Sequence, residues 1–146
     1  MGKSDRERRH QANLDRIQRV QLVVGRGDRM KVDHEGTLLE RARLTMEEVS
    51  SHEATERGLQ AFDRLLQQLE KSDTRQPNDI AGFLTSIWNQ RPLSLAILRG
   101  QDQYAGDDML DVLNAYRYAR LNLVENVPGG ARRVARVLGK WSLANA

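Results

Sequence analysis

The stretch "ATERGLQAFDRLLQQLEK", residues 54–71, constrains the fold more than any other part of the chain. Leu59, Phe62, Leu65, Leu66 and Leu69 recur at steps of three and four, with charged and amide side chains between them. That spacing gathers five large apolar groups on one side of a helix. Such a helix draws its stability from packing that face against a second apolar surface rather than from helix propensity.

The segments downstream supply that surface. "PNDIAGFLTSIWNQ", 77–90, predicts a helix with Pro77 in its first turn and Ile80, Phe83, Leu84, Ile87 and Trp88 as its apolar face. Asn89 is expected to cap its C-terminus, and Arg91-Pro92 ends the element. "LSLAILRG", 93–100, reads as one or two helical turns after Ser94, stopped by Gly100. Residues 104–123 offer Met109, Leu110, Val112, Leu113, Tyr116 and Leu123 to another helix, which "ENVPGG" breaks. "ARRVARVLGKW", 131–141, carries Val134, Val137, Leu138 and Trp141 as a last stripe.

Upstream the signals weaken. From Thr37, Leu38, Leu39 and Ala42 share one helical face, with Met46 as a further member. Thr45 followed by Glu48 spells a capping box, so a helix is expected to restart there. "VQLVV" and "RMKVD" around the turn "GRGD" predict a small β-hairpin. Within it, Arg26-Gly27-Asp28 spells a cell-adhesion motif, which we read as a turn. Residues 1–19 offer only Ala12, Leu14 and Ile17 as apolar positions, too little to offset the entropy of ordering. They form either a frayed extension or a helix that orders against something else. The expected fold is mainly α: a small helical bundle of four to six helices over residues 37–146. Before it comes a basic N-terminal extension, residues 1–36, with a short β-hairpin or irregular structure.

A chain of 146 residues fits one domain with an extension, and 39% hydrophobic content suffices for a small core. There is no cysteine, so disulfides and thiolate metal sites are excluded. The start "MGKSDRERRH" has no apolar region of the signal-peptide kind, and no apolar run approaches the roughly 20 residues of a membrane helix. The expected setting is cytoplasmic, without membrane contact. The net charge of +3 hides a segregation. Residues 1–31 hold nine Lys/Arg against four Asp/Glu, and residues 32–70 hold four against nine. Residues 132–146 hold four basic side chains and no acid. Both ends are basic and the middle is acidic.

"DDMLD", 107–111, raises the sharpest chemical question, because D-D-x-x-D is how isoprenoid synthases hold magnesium against a diphosphate. Asp107 and Asp111 at i,i+4, with Asp108 at i,i+3 from Asp111, could converge on a hard cation. No second D-D-x-x-D faces it anywhere in the chain. The preferred reading makes Asp107 a helix N-cap after Gly106, puts Asp108 in the first turn beside the positive end of the helix dipole, and leaves Asp111 in solvent. His10, His34 and His52 lie far apart in sequence and announce no zinc site. No nucleophile elbow, P-loop or dinucleotide fingerprint occurs. Glu47 and Glu48 read as a solvated helix face. The chain is expected to be no enzyme and to need no cofactor and no metal.

"LQAFDRLLQQLEKSDTRQPNDIAGFLTSIWN", "LSLAILRG" and "DDMLDVLNAYRYAR" together resemble an uncharacterised small helical domain family carried on plasmids and integrative conjugative elements of Gram-negative bacteria. The resemblance spans about residues 56–141. It departs at Pro77, where that family more often has a small polar residue, and in "RRVARVLGKW". It implies a mobile-element setting and brings no activity or binding residues. The matched positions Leu65, Leu66, Phe83, Leu84, Trp88, Asn89, Asp107, Asp108, Met109 and Leu110 read as core and caps.

Two functions fit. The first is a protein-interaction role, an inhibitor that interferes with a host nucleoprotein or defence complex in the manner of anti-CRISPR proteins. The second is nucleic-acid binding. Arg132, Arg136 and Lys140 lie at i,i+4,i+8 with Arg133 beside them, and Arg8, Arg9, Arg16 and Arg19 form a basic arm. No aromatic residue is interleaved among the C-terminal arginines, so a stacking platform for single strands is not indicated. The partner and the oligomeric state are not legible at this level.

Overall fold

The computed structural model describes residues 2–74 and 78–144, with the side chains of 142–144 left aside. Pro77, expected in the first turn of a helix, lies outside the described residues. The chain is mainly helical, with one short antiparallel hairpin near its N-terminus. The helices are α1 (Lys3–Ile17), α2 (His34–Glu70), α3 (Asp79–Asn89), α4 (Gln103–Tyr118), the short α5 (Leu123–Asn126) and α6 (Gly130–Ala144). Strands β1 (Val23–Val24) and β2 (Lys31–Val32) pair with Val23 opposite Val32 and Val24 opposite Lys31. Two compact units result, Met1–His52 and Glu53–Ala146, and α2 contributes residues to both.

In the first unit, residues 1–19 realise the second of the two expected alternatives. They form helix α1, whose partner is the first part of α2: His10 and Asn13 of α1 reach Glu48, and Glu7 reaches His52. The hairpin turns through Gly25 and Gly27, both at positive φ, with a 3-10 turn over Gly27–Arg29. A side chain at Gly25 would run into the carbonyl oxygen of Arg29, so this turn needs glycine on two counts. Asp33 then starts α2, its carboxylate accepting from the Gly36 amide at 3.0 Å.

One expectation for α2 is overturned. The helix does not restart at Thr45 but runs unbroken through it. The Glu48 side chain is buried and accepts from the Asn13 amide at 2.8 Å, so it serves α1 rather than a capping box. The shared face of Leu38, Leu39, Ala42 and Met46 turns outward. Leu38, Leu39 and Met46 are 66%, 68% and 71% exposed, and Ala42 is exposed as well. The inward line is Thr37, Arg41, Leu44, Glu48 and Ser51, chosen by the polar groups that α1 and the hairpin present.

The second unit follows the sequence closely. Leu59, Phe62, Leu65, Leu66 and Leu69 of α2 are buried with Ile80, Phe83 and Leu84 of α3 and with Val134, Val137, Leu138 and Trp141 of α6. Ile87 and Trp88 are partly buried against this core. From α4 the core takes Ala105, Met109, Val112 and Ala115, while Leu110 and Tyr116, expected in it, are exposed. Small alanines hold the inward line of α4 because α2 approaches closely. A Cβ on Gly58 would collide with that of Ala115 and sit 2.9 Å from the Asp111 carbonyl. Helix α4 stops at Tyr118, so Leu123 is buried from α5 instead.

The caps shift by a residue or more from their expected places. Asn78 caps α3, accepting from Ile80 N at 2.8 Å. Its C-cap is Gln90 in the left-handed region, not Asn89, which is still helical. Ser94 accepts from Ala96 N at the head of the 3-10 segment Leu95–Gly100, as the sequence predicted.

Candidate interaction surfaces

The aspartate triplet is not arranged as the sequence led us to expect. The N-cap of α4 is Asp102, whose carboxylate accepts from Ala105 N at 2.8 Å, which places Asp107 within the helix rather than at its start. Asp108 is buried and receives a bidentate grip from Arg64 of α2: Nη2 at 2.8 Å from Oδ1, and Nε at 3.2 Å from each carboxylate oxygen. This bond holds the Arg64 pKa above its ordinary value. Asp111 is half-buried rather than solvated, and burial, reinforced by the charges of Asp108 and Asp107, pushes its carboxyl pKa up, against the pull of Arg57. Among the described residues, no three His, Asp or Glu side chains are grouped to hold a metal ion, and no helix is long and apolar enough to cross a membrane.

The basic residues of α6 divide in two. Arg132, Arg136 and Lys140 are exposed along one helix face, as their spacing predicts. Arg133 is turned inward. Its Nη1 donates to Asp63 at 2.6 Å and to the Pro128 carbonyl at 2.9 Å, and its Nη2 donates to Glu70 at 2.6 Å. Burial works against the Arg133 charge, but Glu70 and Asp63 outweigh it and leave the guanidinium pKa raised. Arg133 therefore ties α6 to α2, and of the four Arg132, Arg136 and Lys140 form an exposed cationic row. Arg136 also pairs with Glu70, at 3.9 Å.

On α1, Arg8, Arg9 and Arg16 are exposed, as is Arg19 just beyond the helix, and Arg8 pairs with Asp5 one turn away. The opposite side of α1 carries something that the sequence did not announce. His10 and His52, 42 positions apart by their numbers, stack with ring centroids 3.9 Å apart and planes 4° from parallel. His10 Nδ1 lies 3.3 Å from Glu48 Oε1, and His52 Nε2 lies 3.0 Å from Glu7 Oε2. Each helix thus offers one imidazole and one carboxylate to the other. A polar residue at every third or fourth position of α1 (Arg6, His10, Asn13) is the signal that could have located this seam. Glu48, read as solvated, is central to it.

With its inward line mostly polar, the first unit leaves several large apolar groups outside. Leu22, Val23, Val24 and Met30 of the hairpin region and Leu38, Leu39 and Met46 of α2 are all exposed. The second unit has a different feature, a cleft of about 370 Å³ walled by Trp88, Tyr116 and Leu121, with Asn122 and Glu125 at its polar side.

No curated protein and no solved structure matches the chain. A family of unknown function, DUF7673, matches residues 59–142, nearly the same stretch whose leucine helix, tryptophan helix and Asp-Asp helix carried the resemblance read from sequence. That span holds the buried core described above, and the chain belongs to this family.

Proposed function

We propose that this chain is a non-enzymatic binding protein that acts by protein–protein contact, with its second unit a small helical bundle that serves as scaffold. The observation that carries the reading is the run of exposed apolar side chains in Met1–His52, above all Leu38, Leu39 and Met46. Contiguous apolar surface on a folded chain marks a contact site more often than not. Of the three carboxylates that could have suggested metal chemistry, Asp108 is engaged by Arg64. The mobile-element setting makes a host nucleoprotein or defence complex the partner to try first, in the manner of anti-CRISPR proteins. A cytoplasmic location follows from that partner.

The test is capture from host lysate with and without nuclease. A partner retained after nuclease and lost in Leu39→Glu with Met46→Glu supports the reading. Capture that disappears with nuclease alone overturns it.

A second reading has its own support in the exposed row Arg132, Arg136 and Lys140, which suits nucleic-acid phosphates. Three phosphate contacts give a log–log salt slope of about −2.7. Arg132→Glu with Arg136→Glu should abolish binding, whereas Arg133 substitutions should act through stability.

A further inference from the structure

The first part of α2 carries two seams with the same 3,4 spacing on roughly opposite sides of one helix. One is mostly polar and runs through Thr37, Arg41, Leu44, Glu48 and Ser51: Glu48 meets α1, while Thr37 and Arg41 bond to Leu22 and Val20 beyond the end of α1. The other is Leu39, Ala42, Met46 and Val49, of which the first three are exposed and Val49 is half-buried. Apolar groups at alternating steps of three and four form the stripe through which two helices pack side by side. Among the described residues of the first unit, nothing covers Leu39, Ala42 or Met46.

We propose that a second copy of this chain covers it, in an antiparallel pair of α2 helices related by a two-fold axis near residue 44. The proposal rests on reading the first unit as a protein-contact surface and assigns one of its faces to self-association. Three features favour a second copy. The seam is complementary to itself: in the antiparallel register Leu39 lies opposite Val49 of the second copy, and the small Ala42 lies opposite the large Met46. Large-against-small layers pack without voids. A parallel pair would instead set Ala42 against Ala42 and Met46 against Met46. The charges agree as well. Arg43 borders the seam and already pairs with Glu40 and with Glu47, the latter at 2.6 Å, within its own helix. Antiparallel pairing brings the Glu47 of the second copy within one turn of Arg43, so each arginine gains a carboxylate across the axis. Parallel pairing sets Arg43 level with Arg43 and Glu47 level with Glu47. Lastly, a two-fold axis closes the contact and leaves no edge for further growth.

Four layers make a smaller contact than the roughly 800 Å² per partner of a standard interface, so the dimer is expected to form in the micromolar range. Sedimentation velocity of the full chain from about 1 to about 200 µM brackets that range. The expected result is a concentration-dependent rise from the monomer mass to twice that value, lost in Leu39→Glu with Met46→Glu. Both positions are exposed, so circular dichroism should be unchanged. The chain has no cysteine, which permits a second measurement independent of that variant. Ala42→Cys mixed with Met46→Cys should form mixed disulfides faster than either forms with itself.

A chain that stays monomeric over the range, or a dimer indifferent to the seam variants, overturns the proposal. Faster like-with-like disulfides overturn the antiparallel register. A monomer whose capture of a lysate protein is lost in the seam variant ends the dimer while leaving the protein-contact reading standing. A seam-dependent dimer that captures no protein does the reverse.

Discussion

The two units use opposite rules on either side of His52. In Glu53–Ala146 the buried side chains are apolar apart from Thr55 and Asp108, and leucine, phenylalanine, valine and tryptophan from α2, α3 and α6 meet in one core. In Met1–His52, among the described residues, the buried positions are Thr37, Glu48 and Ser51, and no large apolar side chain is fully buried. Apolar burial is non-directional and scales with area, so the second unit tolerates small errors of placement. A polar seam is directional: a buried carboxylate such as Glu48 is costly unless each lone pair is met. The first unit is therefore specified by a few contacts and the second by many.

The largest effect that would sharpen this contrast is Phe62→Ala. It should destabilise the second unit by about 3–5 kcal/mol, read as a lowered urea midpoint by tryptophan fluorescence. Both tryptophans, Trp88 and Trp141, report on that unit alone. If Phe62→Ala shifted amide exchange in α1 equally, the two units would be one cooperative body and the comparison would fail.

Glu48→Ala should act in the first unit instead. Removing an acceptor bonded to both His10 and Asn13 leaves buried donors unmet, at about 1–3 kcal/mol. Loss of amide protection in Lys3–Ile17, with the fluorescence midpoint unchanged, is the expected outcome. Gly58→Ala should lower the second unit's midpoint by about 1–3 kcal/mol, although alanine is the better helix former, because the added methyl meets Ala115. An increase in stability would show that α2 and α4 have room to part.

The smallest effect is expected at Asp111. Its carboxyl pKa is raised by burial and by neighbouring carboxylates, so the folded chain binds that proton more tightly than the unfolded chain. The charged form then opposes folding, and this opposition is relieved as pH falls through the group's folded pKa. Asp111→Asn should raise stability by about 0.5 kcal/mol or less at neutral pH. The gain should shrink on acidification, as followed by thermal melts at several pH values.

The second unit was legible in the sequence because its signal is periodic and local. Leu59 through Leu69, and Val134 through Trp141, each mark a face that only one kind of neighbour can cover. The same logic found the stripe Leu38, Leu39, Ala42 and Met46, but not that it would face outward. It misled at Arg133, which has the spacing of a phosphate contact and the environment of an internal ion pair. Periodicity reports which residues share a side of a helix, not which side turns inward.

By itself the sequence determined that the chain is mainly helical with a hairpin near its N-terminus, and which faces of α2 after His52, α3 and α6 enter the core. Each depends on backbone preferences and apolar spacing within a short window of chain. Only tertiary structure decided that His10 stacks on His52, that Arg64 grips Asp108, and that α2 turns Leu38 and Leu39 outward in the first unit. Those outcomes depend on which distant polar groups happen to meet. A directional bond between residues dozens of positions apart leaves no periodic trace in the chain that makes it.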